Sequence, residues 1–415
     1  MSVNESSGEG VKGESGRRRR KKVVLAYSGG LDTTVCIPLL REKYGFEEVI
    51  AVTVDVGQPP EEIERAKERA SNLCERHVVV DAKEEFVQYI FRAVKANANY
   101  EGYVLGTALS RPLIARKVLE VAAYEDADAV AHGCTGKGND QLRFDAVFRT
   151  SRFELVAPIR DLNLTRAEER AYAEEHGIPC EEQHRFSFSI DENLWSRSIE
   201  GSELENPEFQ PPEEIFRWTK SPEDAPAEPE IIEIGFERGI PVSLNGTRMD
   251  GVSLIRTLNE IGGLHGVGRT DIIEDRVLGF KSREIYEHPA ATILLSAHAD
   301  LERLVLTKAE LQFKSVVDAV WSDLVYKGLT VDPLYDALNA FIDKTQERVS
   351  GSVFVKLHRG NAIVVGRKSP HALFTKEVSF DAKTEQKMAE GFSFYHALQA
   401  RIKAKMCNFF RFGFR

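Results

Sequence analysis

The segment with the clearest chemical signature joins a short apolar run to a helical pattern and contains two adjacent glycines. It reads Ala26, Tyr27, Ser28, Gly29, Gly30, Leu31, Asp32, Thr33, Thr34. The first turn of a helix offers unpaired N–H groups and the positive end of the helix dipole, and glycines let the backbone approach an anion closely. The hydroxyls of Ser28, Thr33 and Thr34 add further donors. The segment therefore predicts a phosphate-binding loop.

The spacing of this loop separates it from two common nucleotide-binding patterns. No Gly-Lys-Ser/Thr follows, and G-x-G-x-x-G is absent. The pattern S-G-G-x-D-[ST] resembles the pyrophosphate-binding loop of the N-type ATP pyrophosphatases. The resemblance implies that the chain splits ATP into AMP and pyrophosphate to adenylate an acceptor, with Ser28 and Asp32 at catalytic positions. The competing interpretation is a glycine-rich turn that only joins a strand to a helix.

Four further motifs carry polar side chains in a defined order. They are Tyr103–Pro112, His132–Phe144, Ser189–Ser198 and a set spread over His265–Tyr286. Together with the loop they resemble the argininosuccinate synthase family, over about Val23 to Lys405. Members of that family join citrulline to aspartate through a citrullyl-adenylate and release AMP and pyrophosphate. The resemblance implies the same ATP-dependent ligation here, a step of arginine biosynthesis.

The resemblance also implies a role for individual residues. Val54 and Gly133 would flank the adenosine part of ATP, beside the loop. Citrulline would be surrounded by Tyr103, Thr107, Ala108, Asn139, Arg143, Ser189, Ser198, Glu274 and Tyr286. Aspartate would be held by Thr135, Asn139 and Asp140. Arg143 suits a carboxylate because a guanidinium binds it through two parallel hydrogen bonds, and Glu274 suits the ammonium or ureido donors of citrulline. Some family members carry Ser at position 108, so a contact of Ala108 would use its backbone.

The same residues also allow plainer interpretations. Gly133–Gly138 would be a flexible loop, Tyr103 and Tyr286 half-buried core aromatics, and the charged residues surface ion pairs. We interpret His132, at the end of a strand, as a packing residue without a catalytic role.

The elements around these motifs change character near residue 180. Before it, strand patterns alternate with helical patterns, which predicts an α/β fold with a doubly wound parallel sheet that binds its ligand at the carboxyl ends of the strands. The strand patterns are Val23–Tyr27, Val49–Val56, His77–Asp81, Asp128–His132 and Leu155–Ile159. The helical patterns are Thr33–Tyr44, Pro60–Cys74, Lys83–Ala98, Arg111–Tyr124 and Thr165–His176.

Beyond residue 180 the pattern predicts a second, α+β domain. We expect a polar surface excursion at Glu203–Glu230, a hairpin of Ile231–Phe236 and Val242–Leu244, a helix at Gly251–Ile261 and a glycine-rich loop at Gly262–Gly268. Further predictions are helices at Asp300–Leu306, Leu311–Tyr326 and Tyr395–Lys405, and strands at Val353–Leu357 and Ala362–Val365. The expected domains are a disordered tail (1–22), a nucleotide-binding domain (23–182), a synthetase and multimerisation domain (183–387) and a C-terminal helix and tail (388–415).

Composition narrows the class of protein and its partners. The 415 residues carry a net charge of −10, which argues against a nucleic-acid partner, and no apolar run approaches the roughly 20 residues of a membrane span. The five cysteines lack C-x-x-C spacing, which favours reduced thiols in a cytoplasmic protein over a metal site. We expect Mg²⁺ with the ATP. The resemblance implies a homotetramer.

Two other functions remain compatible with the loop. One is a different acceptor, as in a tRNA-modifying thiolase or a lysidine synthetase, although the acidic total and the unpaired cysteines argue against both. The other is a non-catalytic module that binds ATP, which would not need the polar motifs of the second half.

Overall fold

The computed structural model describes residues 21–179, 188–375, 387–396 and 398–406. The predictions for nearly all of the N-terminal tail and for the last nine residues lie outside this part. The described residues form two compact units, one ending at His371 and the other beginning at Ala372. No helix in the described ranges is long and apolar enough to cross a membrane.

The first half contains a parallel sheet of five strands in the order β3-β2-β1-β4-β5. Its strands are β1 (Lys22–Ala26), β2 (Glu48–Asp55), β3 (Arg76–Asp81), β4 (Ala129–His132) and β5 (Glu154–Val156). The helices are α1 (Leu31–Glu42), α2 (Pro60–Ala70), α3 (Lys83–Lys95), α4 (Gly106–Tyr124), α5 (Asp140–Phe148), α6 (Pro158–Asp161) and α7 (Arg166–Glu175). The prediction of a doubly wound α/β fold is confirmed. The fifth strand is shorter than predicted because Pro158 opens a helix.

Alternate side chains of the central strand β1 enter two different cores. Val23 and Leu25 pack with α1 and α7 on one face, whereas Val24 and Ala26 pack with α3 and α4 on the other. A strand buried on both faces must be apolar at every position, which explains the unbroken hydrophobic run. Because β1 pairs in parallel with both β2 and β4, the carboxyl ends of these strands lie side by side.

The second half contains two antiparallel sheets. One has the order β11-β12-β7-β6, from β6 (Ser189–Glu192), β7 (Arg197–Glu200), β11 (Arg269–Asp275) and β12 (Lys281–Glu287). The other has the order β10-β9-β8-β13-β14, from β8 (Glu230–Glu237), β9 (Ile240–Leu244), β10 (Thr247–Arg248), β13 (Gly351–His358) and β14 (Asn361–Lys368). The helices are α8 (Gly251–Leu264), α9 (Pro289–Val305), α10 (Lys308–Tyr326) and α11 (Pro333–Gln346). The second compact unit contains α12 (Lys387–Tyr395) and α13 (Leu398–Met406).

The predicted hairpin and the strands of β13 and β14 are confirmed, but the glycine-rich loop at Gly262–Gly268 is wrong at its start. Helix α8 continues through Gly262 and Gly263. A Cβ at Gly263 would lie 2.0 Å from the carbonyl oxygen of Trp218, so this glycine permits close packing rather than a turn. The predicted helix at Asp300–Leu306 is only the end of α9. The predicted helix at Tyr395–Lys405 overlaps two helices, because α12 ends at Tyr395.

The polar stretch predicted as a surface excursion is anchored to β12 by Glu287, which is 0% exposed. Its carboxylate accepts hydrogen bonds from the backbone N–H groups of Arg217, Trp218 and Thr219 and from the hydroxyl of Thr219. Arg197 adds a bond of 2.7 Å to the same carboxylate. A buried charge is tolerated when it is paired and hydrogen-bonded, as this one is. The excursion is therefore part of the folded structure.

We expect Glu287→Gln to lower the free energy of unfolding by about 3–5 kcal/mol. The change removes the closer of the two carboxylates that pair with the buried Arg197, leaving only Glu192 at 3.3 Å, and it places an amide NH₂ group among N–H donors. Urea unfolding at one protein concentration measures the change. The control is Glu237→Gln, which removes a carboxylate from an exposed pair with Arg248 and should change little. Equal effects of the two substitutions would contradict the anchoring role.

Candidate active site

A cavity of ≈ 1370 Å³ opens at the carboxyl ends of β1, β2 and β4 and is closed on its other side by the sheet of β6, β7, β11 and β12. Most of the residues predicted from the sequence lie in its wall. They are Ala26, Tyr27, Ser28, Gly29, Gly30, Leu31, Asp32, Thr33, Val54, Tyr103, Thr107, Gly133, Thr135, Asn139, Asp140, Arg143, Ser189, Ser198, Glu274 and Tyr286. The cavity is larger than the roughly 300–1,000 Å³ of a single drug-sized site, which is room for several ligands at once.

Two predicted residues lie behind this wall. The hydroxyl of Thr34 donates to the carbonyl of Gly30 at 2.7 Å. Ala108 is fully buried in α4, and its N–H group donates to the hydroxyl of Tyr103 at 3.3 Å. The expected contacts of these two residues with a ligand stay predictions.

The glycine loop leaves the N-terminus of α1 without a side-chain cap. Gly30 is the N-cap residue, and no side chain accepts from the first turn. Gly29 has φ +78°, and a Cβ there would lie 2.6 Å from the Cβ of Ala66 in α2. The loop therefore lies directly against α2, and the unpaired N–H groups of the helix start face the cavity.

Charged residues surround this loop. Arg69 donates to the carbonyl of Gly29 at 2.5 Å, and Arg166 pairs with Asp32. Behind Asp32 lies Glu169, which is 1% exposed. Burial and the adjacent Asp32 carboxylate raise the pKa of Glu169 to about 8, so its carboxyl group is largely protonated at neutral pH.

A buried cluster of charges forms the floor of the cavity. The carboxylate of Asp140 accepts from Arg111 Nε at 2.8 Å and from Arg143 Nη1 at 2.8 Å, and Arg111 also pairs with Asp191. Although burial acts to raise it, the pKa of Asp140 is held at about 2 by Arg111 and Arg143. Asp140 is thus a permanent anion and not a proton acceptor at neutral pH.

Aromatic side chains form the adjoining wall. The rings of Tyr103 and Tyr286 stack with centroids 4.6 Å apart. The hydroxyl of Tyr103 lies 2.6 Å from Thr107 Oγ1, and that of Tyr286 donates to Glu274 at 3.1 Å. Burial raises the pKa of Glu274, while hydrogen bonds from Tyr326 and Tyr286 act to lower it. The wall thus presents one carboxyl group and several hydroxyl groups beside the stacked aromatic rings.

His132 fits the interpretation as a packing residue. It is 1% exposed, its Nε2 lies 2.9 Å from Asp145 Oδ1, and its Nδ1 accepts from the N–H of Cys134. Both ring nitrogens are therefore engaged.

The sequence motifs did not single out several wall residues. Arg111 lies within the motif Tyr103–Pro112 and Asp191 within Ser189–Ser198. Their opposite charges are the signal from which an ion pair between the two motifs could have been predicted. Arg276 pairs with Glu200 and Glu284 across the edge of the cavity, and burial with the adjacent Glu200 raises the pKa of Glu284 to about 10. Arg276 and Glu284 lie eight residues apart on the hairpin of β11 and β12, whereas Glu200 lies 76 residues before Arg276, so no local pattern links all three.

Comparisons with known proteins decide the family. Residues 22–179 match the model described as "Arginosuccinate synthase N-terminal HUP domain", and residues 188–403 match "Arginosuccinate synthase C-terminal domain". The argininosuccinate synthase of Archaeoglobus fulgidus is 63% identical over 383 residues, which cover 92% of this chain and 98% of that protein. That of Methanosarcina acetivorans is 61% identical over 389 residues, covering 93% and 99%. The chain belongs to the argininosuccinate synthase family.

Membership of the argininosuccinate synthase family confirms the resemblance drawn from the motifs, and the chain is accordingly an enzyme of the ligase class. The use of ATP is consistent with the N-terminal match. A tRNA-modifying enzyme and a non-catalytic ATP-binding module are not favoured.

We expect Gly29→Ala to raise the KM for ATP at least about tenfold, because the new methyl group would displace the loop from α2. The measurement is pyrophosphate release at varied ATP concentration. Gly45→Ala is the matched control, since Gly45 has φ +71° but nothing within 4 Å of its position. That control should cost about 1 kcal/mol of stability through backbone strain and leave the KM unchanged. A normal KM for Gly29→Ala would rule out the close contact as a requirement.

Proposed function

We propose that this chain joins citrulline to aspartate at the expense of ATP, through a citrullyl-adenylate, and releases argininosuccinate, AMP and pyrophosphate. The observation that carries the proposal is that one cavity holds both an uncapped helix N-terminus and a buried cluster of tyrosines, arginines and carboxylates. The helix N-terminus suits a polyphosphate, and the cluster of polar and charged side chains suits the charged ends of amino acids.

In the first step the ureido oxygen of citrulline attacks the α-phosphorus of ATP. A phosphorus–oxygen bond forms, the bond between the α- and β-phosphates breaks, and its electron pair leaves on pyrophosphate. We assign the loop Ser28–Thr33 to the β- and γ-phosphates, because donors aimed at the leaving group stabilise its growing charge. Arg65 and Arg69 lie in the same wall and add positive charge. Val54 and Gly133 adjoin the loop and are assigned to the adenosine part.

Citrulline is assigned to the aromatic wall. Arg143 would bind its α-carboxylate, and Glu274 its ammonium group. Thr107, Ser189 and Ser198 present hydroxyls around the remaining space. The ureido group is a weak nucleophile, so catalysis depends mainly on holding it against the α-phosphorus.

In the second step the amine of aspartate attacks the activated ureido carbon. The ammonium group of bound aspartate first releases one proton to water and becomes the attacking amine. A carbon–nitrogen bond then forms, the carbon–oxygen bond to AMP breaks with its electron pair leaving on AMP, and the new nitrogen releases a second proton to water. Thr135, Asn139 and Asp140 are assigned to aspartate. With a pKa of about 2, Asp140 attracts the ammonium form rather than removing its proton.

Within the described ranges no group of three or more His, Cys, Asp or Glu side chains could hold a metal ion. This fits a Mg²⁺ ion that ATP brings with it, because such an ion is bound by phosphate oxygens and one or two carboxylates. Asp32 is a suitable carboxylate beside the loop, and the ion would neutralise phosphate charge.

A cytoplasmic homotetramer is also part of the proposal. Its support is an exposed apolar surface on α10, where Phe313 is 59% and Val316 58% exposed.

We expect pyrophosphate release that requires ATP and citrulline together, since citrulline supplies the attacking oxygen. Aspartate should then convert the adenylate to argininosuccinate and AMP, which mass spectrometry identifies. Release without citrulline, or with lysine or thiol acceptors in its place, would refute the proposed function. Binding of tRNA, seen as a mobility shift, would favour the thiolase or lysidine synthetase alternative.

We expect Arg143→Gln to raise the KM for citrulline about 10- to 100-fold, because a charge-assisted contact of about 1.5–3 kcal/mol is lost. The KM for ATP should change by less than about threefold. Arg149→Gln is the control, since Arg149 is the C-cap residue of the same helix and its side chain is 66% exposed. Equal changes for citrulline and ATP would indicate a structural role for Arg143.

A further inference from the structure

Tyr326, the last residue of α10, lies behind the cavity wall and is 0% exposed. Its hydroxyl accepts a hydrogen bond from Asn139 Nδ2 at 2.9 Å and donates to Glu274 Oε1 at 2.9 Å. Its backbone carbonyl accepts from Arg143 Nε at 3.0 Å. One residue thus contacts three side chains that reach the cavity from two other parts of the chain.

The ring of Tyr326 is held from both sides. Tyr100 stacks on it with centroids 3.6 Å apart and an interplanar angle of 10°, and Tyr103 meets it edge-on at 6.3 Å. The guanidinium carbon of Arg143 lies 5.3 Å from its centroid. The ring therefore holds the hydroxyl where it reaches Asn139, Glu274 and also the backbone carbonyl of Asp275, which lies 3.1 Å away.

The backbone after Tyr326 fits the same arrangement. Gly328 has φ +77°, and a Cβ there would lie 2.6 Å from the Cα of Arg143. The end of α10 consequently lies against the backbone of α5 itself. This contact explains how the carbonyl of Tyr326 comes within hydrogen-bonding distance of Arg143.

We propose that Tyr326 is a positioning residue of the citrulline subsite, which orients Glu274, Asn139 and Arg143 toward the amino-acid end of the substrate. The inference rests on the proposed function. Tyr326 itself does not touch the ligand, because its side chain does not line the cavity. Its hydroxyl bonds one oxygen of Glu274 and the hydroxyl of Tyr286 bonds the other, so the carboxylate is held at both oxygens.

The arrangement has a consequence for pH dependence. Several groups face Glu274 from the segment before α4, from α5, from α10 and from the hairpin of β11 and β12, namely Tyr100, Tyr103, Arg143, Arg276, Glu284, Tyr286 and Tyr326. Burial raises the pKa of Glu274, and the hydrogen bond from Tyr326 acts to lower it. Removing that hydroxyl should raise the pKa further. The carboxylate form that binds an ammonium group would then be lost at a higher pH.

The test is Tyr326→Phe, which removes the hydroxyl and keeps the ring. We expect kcat/KM for citrulline to fall about 10- to 100-fold, with the KM for ATP within about twofold of that of the unchanged enzyme. The acid limb of the pH profile of kcat/KM for citrulline should move to higher pH. Calorimetric binding of ATP to the variant checks that the cavity is folded.

Tyr335→Phe is the matched control. Tyr335 is 3% exposed, and its hydroxyl has no hydrogen-bond partner in the described part of the chain, so this substitution also removes a buried hydroxyl but breaks no contact of the site. It should leave both KM values and the pH profile unchanged.

The outcomes separate the inference from the proposed function. If the unchanged enzyme releases no pyrophosphate with citrulline, the proposed function fails. If that enzyme is active but Tyr326→Phe matches Tyr335→Phe, the inference fails. The inference also fails if Tyr326→Phe weakens ATP and citrulline equally or no longer binds ATP, because the residue would then support the fold as a whole.

Discussion

The cavity depends on a helix start that no side chain in the described part of the chain caps. An α-helix begins with N–H groups that need acceptors, and most helices supply one through Ser, Thr, Asp or Asn at the N-cap. Helix α7 does so with Thr165, and α10 with Thr307. Helix α1 has Gly30 there instead, and its first turn lines the cavity, where its N–H groups are available to a bound anion. The missing cap costs stability in the free protein and creates affinity for a phosphate group in the same place.

The charges in the floor of the cavity show why its side chains are rigid before any ligand arrives. Arg111 is held between Asp140 and Asp191, and Arg143 between Asp140 and the carbonyl of Tyr326. Burial of ions is unfavourable unless each has partners at short distance, and these partners fix every guanidinium plane. A site of this kind stabilises charge without having to reorganise during the reaction.

The phosphate-binding half of the site could be predicted because its determinants are local. Strand, glycines and helix follow one another in the chain, so the pattern identifies the loop and also the sheet edge where it lies. The residues that the second half of the chain contributes to the site could not be predicted in this way. The sequence did not predict strands β11 and β12. Their buried positions include Glu274 and Glu284, and these charged residues interrupt the usual alternation of apolar and polar residues in a strand. The family resemblance supplied Glu274, which spacing alone did not, and neither supplied Glu284.

The prediction of a loop starting at Gly262 was wrong for a related reason. Gly262 and Gly263 were interpreted as a loop, yet they lie in a helix where another segment passes too closely for a side chain. Gly29 and Gly328 combine such an approach with a positive φ, one behind the phosphate loop and the other beside Arg143. At both glycines, then, backbone lies directly against another segment, which fixes the neighbouring side chains more accurately than flexible side-chain contacts would. A sequence shows that a glycine is present, but only the fold shows whether it serves a turn or a contact. Tyr326 illustrates the same limit, since a tyrosine at a helix end has no local feature to distinguish it until Asn139, Arg143 and Glu274 are seen to converge on it.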